Sequence, residues 1–137
     1  MTDSVRKVDY FSVAVSDKAG EGVKILAALA EGGVNLLAFT GFPRARKAQV
    51  DLIPEDSKKF NAVAKKAGWT MNPKKTGFLV QGDDRPGALL DHLKKLADAG
   101  VNVTAMDAVV ADDGRFGAIL WVKPENVGKT AKLLGAK

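Results

Sequence analysis

The chain has 137 residues, 46% of them hydrophobic, which suits one medium domain or two small ones. It contains no cysteine, which excludes disulfides, thiolate metal sites and a cysteine nucleophile. No apolar run approaches the roughly 20 residues of a membrane helix, and the polar, charged stretch from Met1 to Asp9 does not resemble a signal peptide, so a cytoplasmic location is expected. A net charge of +5 raises nucleic acid as a partner, but the lysines fall in scattered pairs (Lys58 and Lys59, Lys65 and Lys66, Lys74 and Lys75, Lys94 and Lys95) beside predicted helices. They read as solvated outer faces.

In chain order, Tyr10 to Val15 is a short apolar run that predicts a strand. Gly22, Ile25, Leu26, Leu29 and Ala30 recur at helical spacing, and Gly33 stands where that helix stops. Asn35 to Thr40 and Ala48 to Ile53 predict two strands. Pro54 is expected just inside the start of a second helix, whose buried stripe is Phe60, Val63, Ala64 and Ala67. The order then recurs. Thr76 to Gly82 predicts a strand, and Leu89, Leu90, Leu93, Leu96 and Ala97 the buried stripe of a helix ending at Gly100. Two strands, Asn102 to Ala111 and Phe116 to Val122, are joined by the hairpin signal Asp112, Asp113, Gly114. Pro124 opens a last helix with Val127, Ala131 and Leu134 inward.

This recurrence is a sequence repeat. Displacing the chain by 67 places sets residues 11–38 on residues 78–105, matching Phe11 with Phe78, Asp17 with Asp84, Gly20 with Gly87, and the two Gly-Val-Asn triplets. A three-residue insertion in the second copy then matches Pro54 with Pro124 and Glu55 with Glu125. The expected architecture is α+β: two tandem ferredoxin-like βαββαβ units, residues 1–73 and 74–137, with antiparallel sheets and helices on one face. A unit of this size is marginally stable alone, so two fused copies are expected to share an interface.

In the second copy a strand runs into DRPGALLDHLKKLADAGVNV, which closely resembles the small-molecule-sensing ACT domain, and the duplication resembles proteins built of two such units alone. The resemblance implies a non-catalytic regulatory protein that binds an amino acid at the seam between paired units, with no cofactor. Carried over, it implies a ligand site at Asp84, Arg85, Pro86 and Gly87, the amides of Ala88 and Leu89, and Asn102. For the first copy it implies Asp17, Lys18, Gly20 and Asn35. That copy departs from the pattern, with Ala19 for the proline and Gly22 for Leu89, which predicts a looser turn. The chemistry of the turn supports the implication. Pro86 fixes its own dihedral, Gly87 admits close backbone approach, and a helix start offers amides to a carboxylate. Asn102 supplies a donor and an acceptor to a zwitterion.

The same residues also have a plain structural reading: Asp84 and Asp17 as helix caps, Asn102 and Asn35 as loop ties, and His92 as a half-exposed helix residue. One histidine without cysteine gives no metal site. No nucleophile with an adjacent base, phosphate loop or dinucleotide fingerprint is present, so catalysis is not expected. RNA binding is the competing class, since RNA-recognition modules share this strand order. However, Ala118 stands where their third strand needs a stacking ring, which leaves Arg44, Arg46 and Lys47 as the best support. The family's closing fourth strand is available to the first copy as Trp69 to Met71. The second copy lacks one, so the N-terminal segment from Val5, a strand of the first copy or a second chain is expected to fill the gap, the last giving a homodimer.

Overall fold

A computed structural model describes residues 3–137. The chain divides into two compact units, one of residues 9–75 and one of residues 3–8 with 76–137. The compact units divide at 75/76, and residues 3–8 cluster with the later unit. Strand β1 (Ser4–Ser16) contributes residues 4–8 to that unit and 9–16 to the other.

In the unit of residues 9–75, β1 is followed by α1 (Glu21–Glu31), β2 (Leu36–Arg44), β3 (Lys47–Pro54) and α2 (Ser57–Ala67). The strands are antiparallel in the order β2-β3-β1. Phe11 and Val13 oppose Leu52 and Val50, so alternate residues of both strands share one face. Ile25 and Leu29 of α1 and Phe60 and Ala64 of α2 bury that face, with Phe60 stacked on Phe11 at a centroid distance of 4.5 Å. Both helices therefore lie on one side of the sheet. Leu26, Ala30 and Ala67, expected in the stripes, are exposed: the inward face of each helix is narrower than the run of apolar residues.

In the other unit β4 (Lys75–Asp83), α3 (Leu90–Asp98), β5 (Val103–Val110) and β6 (Arg115–Val122) are followed by a single 3₁₀ turn, Pro124–Asn126, and α4 (Val127–Leu134). Residues 4–8 lie beside β4, giving the order β1-β4-β6-β5. Val5 is buried among Phe78, Val80, Leu96, Phe116 and Leu120. The N-terminal segment thus occupies the place of the missing fourth strand. Its other edge is met by the chain end, where Lys7 N–H donates to the Lys137 carbonyl and Lys137 N–H to that of Val5, both at 3.1 Å. Trp69 to Met71 is not a strand. That stretch has no regular secondary structure and is followed by Asn72, whose backbone and side-chain amides donate to the Ser12 carbonyl and hydroxyl.

Gly33 and Gly100 end α1 and α3 as expected, with φ of +69° and +73°, and Val34 and Val101 N–H return to the carbonyls of Leu29 and Leu96. The prolines do not match as expected. Pro124 opens the 3₁₀ turn, whereas Pro54 is the last residue of β3 and faces Leu36, and α2 is capped instead by the Asp56 carboxylate, which accepts from the amides of Lys58 and Lys59. The sheet register explains the difference. Phe11 opposes Leu52 and Phe78 opposes Leu120, so the second hairpin is one residue longer than the first, and its extra residue lies in the turn.

That shorter turn is strained. Ala45 and Arg46, between β2 and β3, have φ of +49° and +69°, the left-handed pair that asparagine and glycine adopt readily. Replacing Ala45 by Asn and Arg46 by Gly is expected to stabilise the protein by about 1 kcal/mol or more, read as a higher Tm. An unchanged or lowered Tm would contradict a two-residue left-handed turn here.

Candidate functional site

The turn between β4 and α3 is tied down mostly by its own charges. Arg85 folds back, its guanidinium donating to the Asp83 carbonyl at 2.7 Å and to both oxygens of Asp3 at 3.3 Å. Asp83 pairs with Arg115 at 3.0 Å, and Asp84 N–H donates to the Gly114 carbonyl. The structure therefore assigns Arg85 to holding the turn on the N-terminal segment. Asp3 is the anchor. Its side chain is only 7% exposed, accepts at 2.7 Å from His92 Nε2, and lies where a Cβ on residue 82 would overlap it, so Gly82 is what admits it. His92 is correspondingly not the half-exposed residue expected: it faces inward, with Nδ1 buried and unpaired.

Pro86 and Gly87 continue the turn, Gly87 at φ +69°. Added side-chain atoms would meet only ordinary contact with Leu90 there, so glycine is required by the dihedral and not by crowding. Ala88 N–H is consumed by the Arg85 carbonyl and Leu90 N–H by that of Gly87. Gly87 and Leu89 N–H have no acceptor among the described residues. Asp84 does not cap α3, and its carboxylate has no partner among the described residues.

These groups border a cleft of about 360 Å³ between the turn, the outer side of α3 and the end of β5. Its walls are apolar. Leu90 and Val109, 65% and 72% exposed, stand with Leu93 and Val110 around it, and Asp84 is the one charged residue in the lining. Leu90 and Leu93 thus leave the expected core stripe, while Leu96 and His92 point inward. Asn102 is not brought to this turn. It precedes β5, at the end of that strand opposite Val109, a distance of about 20 Å along a strand.

The unit of residues 9–75 repeats the arrangement with different chemistry. Asp17, Lys18 and Glu21 line a cleft of about 270 Å³ with Phe39 and Phe42. Gly20 precedes α1 at φ +94° without a side-chain cap, and Asp17 caps nothing. Ser16 Oγ donates to Glu21 at 2.7 Å. Asn35 lies elsewhere as a loop tie, its side chain donating to Glu55 at 3.0 Å and its carbonyl accepting from Glu55 N–H. The residues that sequence reasoning passed over are Asp3, Gly82 and the apolar wall Val109 and Val110. For Val109 and Val110 the available signal was two adjacent valines at the end of an outer strand, next to a hairpin.

The rings of β6 offer no stacking platform, since Phe116 and Trp121 are 5% and 4% exposed. Arg44, Arg46 and Lys47 are exposed at the β2–β3 turn, where Arg44 donates to Gln49 at 2.7 Å.

Burial of Asp3 opposes its charge, yet the hydrogen bonds and charges of Arg85 and His92 outweigh it and hold the carboxyl below the usual carboxylate range. A lowered folded pKa contributes stability above the unfolded value of about 3.9 and loses it as the pH falls through the folded value. The Tm difference between the wild type and Asp3→Asn is therefore expected to be largest above about pH 4 and to shrink below it. A difference independent of pH would show that the pairing does not depend on the Asp3 charge.

No protein-family model matches the chain, and no curated protein matches it in sequence. Solved structures do. Protein BT0572 from Bacteroides thetaiotaomicron is similar over 96% of this chain and 88% of its own, with a TM-score of 0.81 and 21% identity. The regulatory subunit of aspartate kinase from Thermus thermophilus, in a ligand-free form, is similar over 98% of this chain and 95% of its own, with a TM-score of 0.63 and 13% identity. A putative C-terminal regulatory domain of aspartate kinase from Porphyromonas gingivalis gives 0.58 and 12%, over 98% of this chain and 95% of its own. At these identities the likeness is one of fold: the chain has an α+β, ferredoxin-like fold with antiparallel strands and four helices.

Proposed function

We propose that the chain is a non-catalytic regulatory protein of two ACT-like units that binds an amino acid or a similar small effector. The carrying observation is the cleft beside residues 84–89, where an unpaired carboxylate and two unpaired amides border an otherwise apolar wall. A zwitterion matches that set, its ammonium toward Asp84 and its carboxylate toward the start of α3. The fold shared with aspartate kinase regulatory subunits supports the reading. Asp84, Gly87 and Leu89 are the proposed contact groups. Arg85 acts by shaping the turn, and Asn102 stands outside this cleft. The first copy's Asp17, Lys18 and Gly20 border the corresponding cleft of their unit and are proposed as a second site.

A thermal-shift screen against the twenty amino acids is the direct test. A ligand at 100 times its Kd stabilises by about 2.7 kcal/mol, and Gly87→Val, which forces a branched residue to positive φ, is expected to remove that shift. No shift with any amino acid, together with RNA retained at physiological salt, would reverse the reading.

We also propose that the protein pairs with a second copy through β5, an outer strand whose exposed apolar residues include Val109 and Val110. Light scattering is expected to give a dimer mass. A monomer at high concentration would overturn this.

A further inference from the structure

The cleft beside residues 84–89 differs from a general zwitterion site in what surrounds the charged groups. The charges flanking Asp84 in the turn are already matched: Asp83 by Arg115, and Arg85 by Asp3. Asp84 is left as the sole charged group in the lining, facing Leu90, Leu93, Val109 and Val110. A ligand side chain that entered this wall carrying a hydroxyl, amide or charge would find no partner there and would lose its hydration without return. An aliphatic side chain instead removes apolar surface of its own and of four exposed residues from water. The other unit's cleft is also walled by apolar residues, Phe39 and Phe42 among them, but carries three charged residues, Asp17, Lys18 and Glu21.

Resting on the reading of this cleft as an amino-acid site, we propose that it selects an α-amino acid with a branched aliphatic side chain, leucine, isoleucine or valine, Asp84 taking the ammonium group and the apolar wall the side chain.

Isothermal titration of the full chain with leucine, isoleucine, valine, serine, aspartate and lysine tests this, with 4-methylpentanoate and 3-methylbutylamine as compounds lacking one charged group each. The three branched amino acids are expected to bind at least 10-fold more tightly than the polar ones. Leucine is expected to exceed both single-charge compounds, and Asp84→Asn to weaken leucine by about 10- to 100-fold. Leu90→Asp, at a position already exposed in the free protein, is expected to lower leucine affinity without lowering the Tm. Asp98→Asn, at the far end of α3, is the control and is expected to leave binding unchanged. If serine, aspartate or lysine binds best and Asp84→Asn abolishes it, the cleft is an amino-acid site but the aliphatic assignment is overturned. Tighter binding of 3-methylbutylamine than of leucine makes the ligand an amine and overturns it too. Binding of none of the amino acids removes the site itself.

Discussion

The carboxylate of Asp3 occupies a place that exists only because residue 82 has no side chain, and much of the later unit depends on it. Through Arg85 it fixes the turn that borders the cleft, through His92 it fixes the inner side of α3, and through the strand that follows it brings Val5 into the core. A buried carboxylate with two cationic or donating partners stays charged and hydrogen-bonded; without them it would be a cost to the fold. The turn's conformation is therefore set by a residue more than 80 positions away. That is why the local sequence, rich in charges, does not by itself reveal the pairing of Arg85 with Asp3 that holds the turn.

The parts of the fold that were legible in the sequence are those with a local cause. Glycine at a helix end has a dihedral reason that needs no partner, and both Gly33 and Gly100 carry it out. Alternation in β1, β3, β4 and β6 places Phe11, Val50, Phe78 and Leu120 inward because a strand's period is two. What failed had a distant cause. Helical spacing identified α3 but not which side of a broad apolar face turns inward, and His92 rather than Leu93 faces Asp3 because the partner arrives from the chain start. The proline match erred by two residues, a slip that keeps every side chain on its proper face and so leaves no mark in the hydrophobic pattern.

The candidate site was legible in its turn and not in its walls. Asp84 and Gly87 follow from the motif, and Leu89 contributes a backbone amide. Asn102 was joined to them by resemblance, whereas the extended backbone of β5 carries it to the other end of its strand. Val109 and Val110 take the opposite wall because the end of β5 lies beside the start of α3, as Phe42 at the end of β2 lies beside the start of α1. The two units thus keep one frame and differ in chemistry: Gly22 stands where the later unit has Leu89, and Phe42 where it has Val109.

The use of residues 4–8 beside β4 also orders events in time. These residues are made well before their partners: the strand they pair with begins at Lys75, and the carbonyl that receives Lys7 N–H belongs to Lys137. The unit of residues 9–75 has its sheet and both helices in hand before residues 76–137 are made, whereas the other unit recovers residues 4–8 across the whole of that intervening unit. Contacts so far apart in sequence form slowly. During that interval β4 has an open edge, so the slow step of folding and the moment of greatest exposure to strand exchange between chains coincide.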